Sequence, residues 1–103
     1  MTIEQRQTIV EEIFQEALKI MEAKGKSYAG KDSLSNFKRN AERLGLTKYQ
    51  IWAVYFNKHV DSINNAIQDN PEHPIDASES IRGRVLDAIN YLTILECLLG
   101  ESK

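Results

Sequence analysis

The sequence predicts an all-α fold: a compact bundle of about four helices in a single domain over residues 1–103, completed by a second copy of the chain. Three observations predict it. Apolar residues recur at three- and four-residue spacing over long stretches, which lines one face of a helix. Three stretches open on a polar residue followed three positions later by Gln or Glu, the signature of a capping box; these are Thr2 with Gln5, Thr47 with Gln50, and Asp76 with Glu79. Glycine and proline stand between the periodic stretches, and the strand signal is weak throughout.

The first helix is expected from about Ile3 to Ala23, with Ile9, Val10, Ile13, Phe14, Ala17, Ile20 and Met21 on its apolar stripe. Glu12 and Glu16, one turn apart, border that stripe. Gly25 is the expected stop, since glycine takes a positive φ without steric cost. The loop that follows, Lys24–Asp32, is basic and glycine-containing and holds one bulky residue, Tyr28. That tyrosine either anchors the loop on the core or stacks on a base while neighbouring lysines hold phosphate. The second helix is expected over Leu34–Leu44, capped by Ser33 and ended by Gly45, with Leu34, Phe37, Ala41 and Leu44 facing inward. Asn36 falls in its first turn, where free backbone N–H groups and the helix dipole favour anions.

The third helix, about Tyr49–Ile67, is the scaffold on which ligand contacts are expected. At about 100° per residue, Trp52, Phe56, Val60, Ile63 and Ile67 form one stripe, the predicted core face. Ile51 and Val54 lie on another side, and Tyr55 and His59 follow one edge of the stripe. A helix with apolar residues on two sides packs on two sides, which puts Lys58, His59 and Asp61 beside buried surface. Asp69–Ile75 carries two prolines and is a loop; His73 within it has no metal-ligand spacing to a neighbour. The last helix is expected from Ala77 to about Leu99. Its main apolar arc is Ile81, Val85, Ala88, Leu92, Leu95 and Leu99, and Leu86, Ile94, Cys97 and Leu98 cover much of the rest. Asp87 and Asn90 fall among these apolar residues, and Arg84, Asp87 and Tyr91 form one line. A buried carboxylate is costly unless paired, hydrogen-bonded or holding a metal. Asp87 is therefore either half of a packing pair with Arg84 or Lys58, or part of a ligand site.

The composition bounds the function. A net charge of −2 gives no overall basic excess that would favour a nucleic-acid polymer. Locally, Lys24, Lys26, Lys31, Lys38, Arg39 and Arg43 stand against Asp32 and Glu42, so six basic and two acidic residues leave an excess of four positive charges. This is either a solvated helix face or a site for a small anionic ligand. Cys97, the one cysteine, makes no internal disulfide and is expected to be buried, which fits a reducing cytoplasm. Neither a signal-peptide pattern nor a membrane-spanning run is expected. The residues make no nucleophilic triad, Walker loop, zinc pattern or dinucleotide turn. What remains is a set of polar groups that could converge: Lys24, Tyr28, Asn36, Lys58, Asp61, Asp87 and Asn90. Lysine, tyrosine and a helix N-terminus suit a phosphorylated aromatic ligand, and inward carboxylates suit Mg²⁺.

The order Lys24-x-x-x-Tyr28-Ala29-Gly30, then Ser35-Asn36-Phe37, then Trp52 with Lys58-His59, then Glu79-Ser80-Ile81 leading to Asp87-Ala88-Ile89-Asn90-Tyr91 resembles a family of small phage and prophage proteins. That family is the nucleotide-modification-associated, MazG-like type, similar to the all-α NTP pyrophosphatase superfamily. The resemblance runs from Lys24 to Leu99 and rests most on the order of short motifs and the closing DxxNY. It implies hydrolysis of a nucleoside triphosphate to a monophosphate and pyrophosphate, with carboxylates on two or more helices holding Mg²⁺. Carried over residue by residue, Asp87 matches the acid of the last-helix motif, with Asn90 and Tyr91 its companions; Asp87 is then the candidate catalytic residue, and Asp87, Asp61 and Glu79 are the candidate metal ligands. Lys24, Tyr28, Asn36, Phe37, Lys58, His59, Arg84, Asn90 and Tyr91 would touch the ligand.

The chain departs from the superfamily pattern in two places. An ExxE pair is missing from the first helix, where Glu12 and Glu16 are four apart, and Arg82, Gly83 and Arg84 stand where acids precede the aspartate. Fewer acids and more arginines weaken a Mg²⁺ site and strengthen an anion site. The expected function is therefore binding of a nucleotide, such as a cyclic or signalling one, without cleavage, by a homo-oligomer in the host cytoplasm. The alternatives are an active Mg²⁺-dependent pyrophosphohydrolase and an oligomeric interaction protein with no small-molecule ligand.

Overall fold

The computed structural model describes residues 1–28, 30–75 and 80–101. Among these the chain is all-helical, with α1 over Ile3–Lys26, α2 over Ser35–Leu44, α3 over Lys48–Asp69 and α4 over Ile81–Glu101. It divides into two compact units, Met1–Asp32 and Ser33–Lys103. No helix among the described residues is long and apolar enough to cross a membrane.

In the first unit, Thr2 caps α1 through the expected box: its hydroxyl accepts from the Gln5 N–H at 3.1 Å, and Gln5 Oε1 accepts from the Thr2 N–H at 2.8 Å. The helix does not stop at Gly25. It runs to Lys26, where the Ser27 hydroxyl donates to the Lys24 carbonyl at 2.7 Å and two lysines occupy the last turn, favourably placed for the helix dipole. Beyond it Gly30 adopts a positive φ of 73°.

In the second unit, α2 begins at Ser35 rather than Leu34. Leu34 is the N-cap residue, and the expected Ser33 cap is not formed. Its end is as expected. Gly45 adopts φ 68°, and the Leu46 N–H reaches back to the Ala41 carbonyl at 3.0 Å, closing a Schellman turn that needs a residue tolerant of positive φ. Thr47 and Gln50 then form the second capping box, and α3 ends at Asp69, with Asn70 as its C-cap just before Pro71. The cap expected from Asp76 and Glu79, and the start expected at Ala77, lie outside the described residues.

Helices α3 and α4 run antiparallel. Contacts pair Lys48 with Glu101, Tyr49 with Leu98, Trp52 with Tyr91 and His59 with Asp87, so position falls along α4 as it rises along α3. α2 packs against both. Phe37 presents its ring edge-on to Tyr55 of α3 (centroids 5.9 Å apart) and to Tyr91 of α4 (6.4 Å). Phe37, Ala41, Ile51 and Leu98 form the buried cluster, with Leu34, Tyr49, Trp52, Tyr55, Tyr91 and Ile94 packed on it.

The inward face of α3 differs from the sequence expectation. Ile51, His59 and Ala66 are the buried residues, and Tyr55 joins them beside α2, whereas Ile67 of the predicted stripe is exposed. The buried line is turned from the predicted one by about one residue, roughly 100°. The polar tips of the amphipathic side chains fit this turn: the Tyr55 hydroxyl accepts from Asn40 Nδ2 at 3.0 Å, which lets that ring be half-buried, and the buried His59 lies against Asp87. The expectation for α4 also fails. Leu86 and Leu98 are its buried residues, while Val85, Leu92 and Leu99 of the predicted arc are exposed, so this helix is not covered all round. Cys97 is likewise exposed rather than buried.

Glu101 joins the three helices at one end. Its carboxylate accepts from Lys38 of α2 at 2.7 Å and from Lys48, the first residue of α3, at 3.3 Å. A carboxylate at a helix C-terminus and a lysine at a helix N-terminus each oppose their own dipole, and here they offset one another. The hydrogen bond from Lys38 is the largest cause of a Glu101 pKa held below the ordinary carboxylate range; desolvation opposes it and Lys48 adds to it.

Two predictions follow from this packing. Phe37→Ala should destabilise the protein by about 3–5 kcal/mol in urea titration, whereas Val54→Ala, at a position 61% exposed, should change stability by no more than about 0.5 kcal/mol. Glu101→Gln should lower Tm at neutral pH. Because the folded-state value is depressed, the wild-type advantage is present above the unfolded-state value and disappears as pH falls through the folded-state one. Melting curves of both proteins should therefore converge in acid.

Candidate functional site

The sequence-predicted residues divide between the units. Lys24 is exposed in the last turn of α1, Tyr28 is half-buried in the turn that follows, Glu12 is exposed and Glu16 half-buried, all in the first unit. The rest belong to the second unit or, in the case of Glu79, lie outside the described residues.

Within the second unit, the structure brings together three of the predicted residues. His59 of α3 is buried, with 8% of its surface exposed. Its Nδ1 lies 3.6 Å from Asp87 Oδ2 on α4, close enough for ionic attraction when the imidazole is protonated but too long for a hydrogen bond. The Tyr91 ring, one turn along from Asp87, sits 5.0 Å from the imidazole with a 40° tilt. Beside them the Trp52 indole N–H donates to the Tyr91 carbonyl at 2.6 Å, and the Trp52 and Phe56 rings stack at 4.8 Å. This set is a carboxylate, with 28% of its side-chain surface exposed, backed by a buried imidazole whose Nδ1 is shielded from solvent.

Other predicted residues are placed differently. Phe37 is a core ring between Tyr55 and Tyr91. Asn36 is exposed in the first turn of α2, with its Oδ1 accepting from Arg39 Nη2 at 2.7 Å. Lys58 and Asp61 are exposed on α3. Asp61 follows His59 by two residues, roughly 200° around the helix, and so leaves the face that meets Asp87. Arg84 and Asn90 are half-buried on α4, and the Asn90 carbonyl accepts from the Thr93 hydroxyl at 2.7 Å. The partner shown for Asp87 is thus His59, not the expected Arg84 or Lys58.

Among the described residues no three His, Cys, Asp or Glu side chains form a group that could hold a metal ion. The donors that do meet, one carboxylate and one imidazole, are fewer than the oxygen-rich shell that Mg²⁺ prefers. His59 Nδ1 has no hydrogen-bond partner. Sequence periodicity placed His59 on an apolar edge and Asp87 among apolar neighbours without joining them. The signal available was that each was the polar exception on its own helix.

The chain matches no family model, no curated protein and no solved structure.

His59→Leu should leave the fold intact, with a stability change within about 1 kcal/mol of zero, because it removes an unpartnered buried atom and keeps the packing volume. A urea-titration loss above about 2 kcal/mol would make the pair a structural one.

Proposed function

We propose that this chain is a small nucleotide-binding protein that holds its ligand without cleaving it. The observation that carries the reading is the His59–Asp87 pair, where an unsatisfied imidazole backs a partly exposed carboxylate between α3 and α4. Tyr91 supplies an aromatic wall, and Asn90 stands on the same helix. The order of motifs from Lys24 to Tyr91, similar to phage-type MazG-like proteins, names the ligand class. A cyclic or signalling nucleotide sequestered in the host cytoplasm fits the reading, as does an exposed free thiol, which persists in a reducing compartment.

Binding is favoured over turnover by the donor set. A Mg²⁺-dependent pyrophosphohydrolase requires several converging acids, and no group of three is present among the described residues. Mg²⁺ belongs to the reading only if cleavage occurs; of the expected ligands Asp87, Asp61 and Glu79, Asp61 stands on a different face of α3 from the one that meets Asp87. The reading includes a homo-oligomer, supported by Ile67 on α3 and Val85, Leu92 and Leu99 on α4, all at least 37% exposed. The same apolar residues favour the second reading, an interaction protein with no small ligand.

Incubating pure protein with mono-, tri- and cyclic nucleotides, with and without Mg²⁺, and analysing bound and released species separates the readings. Intact nucleotide recovered from the denatured protein is the expected result. Release of pyrophosphate and monophosphate would make it an enzyme. If nothing binds and no nucleotide raises Tm, the interaction reading replaces this one.

A further inference from the structure

We infer that Asp87 receives the hydroxyl-bearing sugar edge of the nucleotide, and that His59 is the positioning residue that aims it. The inference rests on the nucleotide-binding reading and says which end of the ligand meets the carboxylate. An ionised carboxylate is an acceptor only, and its charge repels phosphate unless a cation stands between them. No metal-holding group of acids surrounds Asp87 among the described residues, and the group that faces it from α3 is the His59 imidazole, against which the Tyr91 ring of α4 packs. The ligand end that suits it therefore carries hydrogen-bond donors.

A ribose 2′-hydroxyl donates to a carboxylate oxygen, the same chemistry by which an acidic residue reads a ribose in dinucleotide folds. The geometry is asymmetric in the way such a contact needs. Oδ2 is the oxygen nearest the buried His59 Nδ1, at 3.6 Å, while 28% of the Asp87 side chain stays open to solvent. His59 is fixed by burial and by the Tyr91 ring, so it restrains the carboxylate from behind and touches no ligand atom. This departs from the metal-ligand role that the family resemblance implies for Asp87.

The test is isothermal titration of wild-type, Asp87→Asn, Asp87→Ala, His59→Asn and His59→Leu proteins. The probes are the best-binding ribonucleotide, its 2′-deoxy form, the same ribonucleotide with another base, and pyrophosphate with Mg²⁺. Wild type should prefer the ribo form by about tenfold to a hundredfold, the effect of one charge-assisted hydrogen bond. Both Asp87 variants should bring that ratio close to one and leave pyrophosphate binding unchanged. His59→Asn, whose amide nitrogen falls near the position of Nδ1, should keep most of the ratio, and His59→Leu should lose it while remaining folded. A variant that fails to fold is replaced by its partner at the same position.

Loss of pyrophosphate binding in both Asp87 variants, with the ribo preference kept, would overturn the inference in favour of a metal ligand. So would an Asp87 effect that follows the base rather than the sugar. Wild type that binds nucleotides with no ribo preference overturns the inference and leaves the nucleotide reading standing. Wild type that binds no nucleotide overturns both.

Discussion

The second unit depends on one contact, the edge-on packing of Phe37 against Tyr55 and Tyr91. A short helix of ten residues is marginal alone in water, and α2 is held by this ring and the small Ala41 beside it. Because Phe37 touches both long helices, it fixes their rotation as well as their separation. Tyr55 inward on α3 brings His59 inward one turn later, and Tyr91 inward on α4 brings Asp87 to the same level one turn earlier. The polar pair is a consequence of the aromatic register. The Trp52 indole, bonded to the Tyr91 carbonyl, fixes the sliding of α3 along α4, and the Glu101 bridge closes the far end.

That arrangement separates the roles of core and site. Aromatic edges, a Schellman turn at Gly45 and a capping box at Thr47 already specify the helices and their order. The imidazole between α3 and α4 adds desolvation cost, and its neighbour Asp87 remains partly wet. A group that weakens packing yet sits at the level fixed by the strongest contacts is well placed to position a ligand, since preorganisation requires a rigid support.

Much of the helical architecture is legible in the residues, because it is local. Thr2 with Gln5 and Thr47 with Gln50 are caps readable three positions at a time, and Gly45 is the residue a left-handed terminus demands. The stop at Gly25 was misread because a glycine permits a positive φ without requiring one, and Ser27 and the lysines carried the helix on. Burial is harder to read. On α3 the stripe through Trp52 and the line through Ile51 are both apolar, and spacing cannot rank two faces of one helix. The choice fell to Tyr55, whose hydroxyl meets Asn40 on α2, and to His59, which lies against Asp87 on α4, a tertiary fact. On α4 the same held for Tyr91 against Leu92. The His59–Asp87 pair was illegible for that reason, although each residue drew notice alone.

The central claim is that the face between α3 and α4 around Asp87 is a nucleotide site. Backbone ¹H–¹⁵N spectra recorded while a nucleotide panel is added test it most directly, since they report position as well as binding. The account predicts saturable shifts centred on His59, Asp87, Asn90 and Tyr91, with the exposed far side of α3 around Val54 and Asp61 unmoved. Shifts that leave those four residues untouched, or no shifts with any nucleotide, would contradict it.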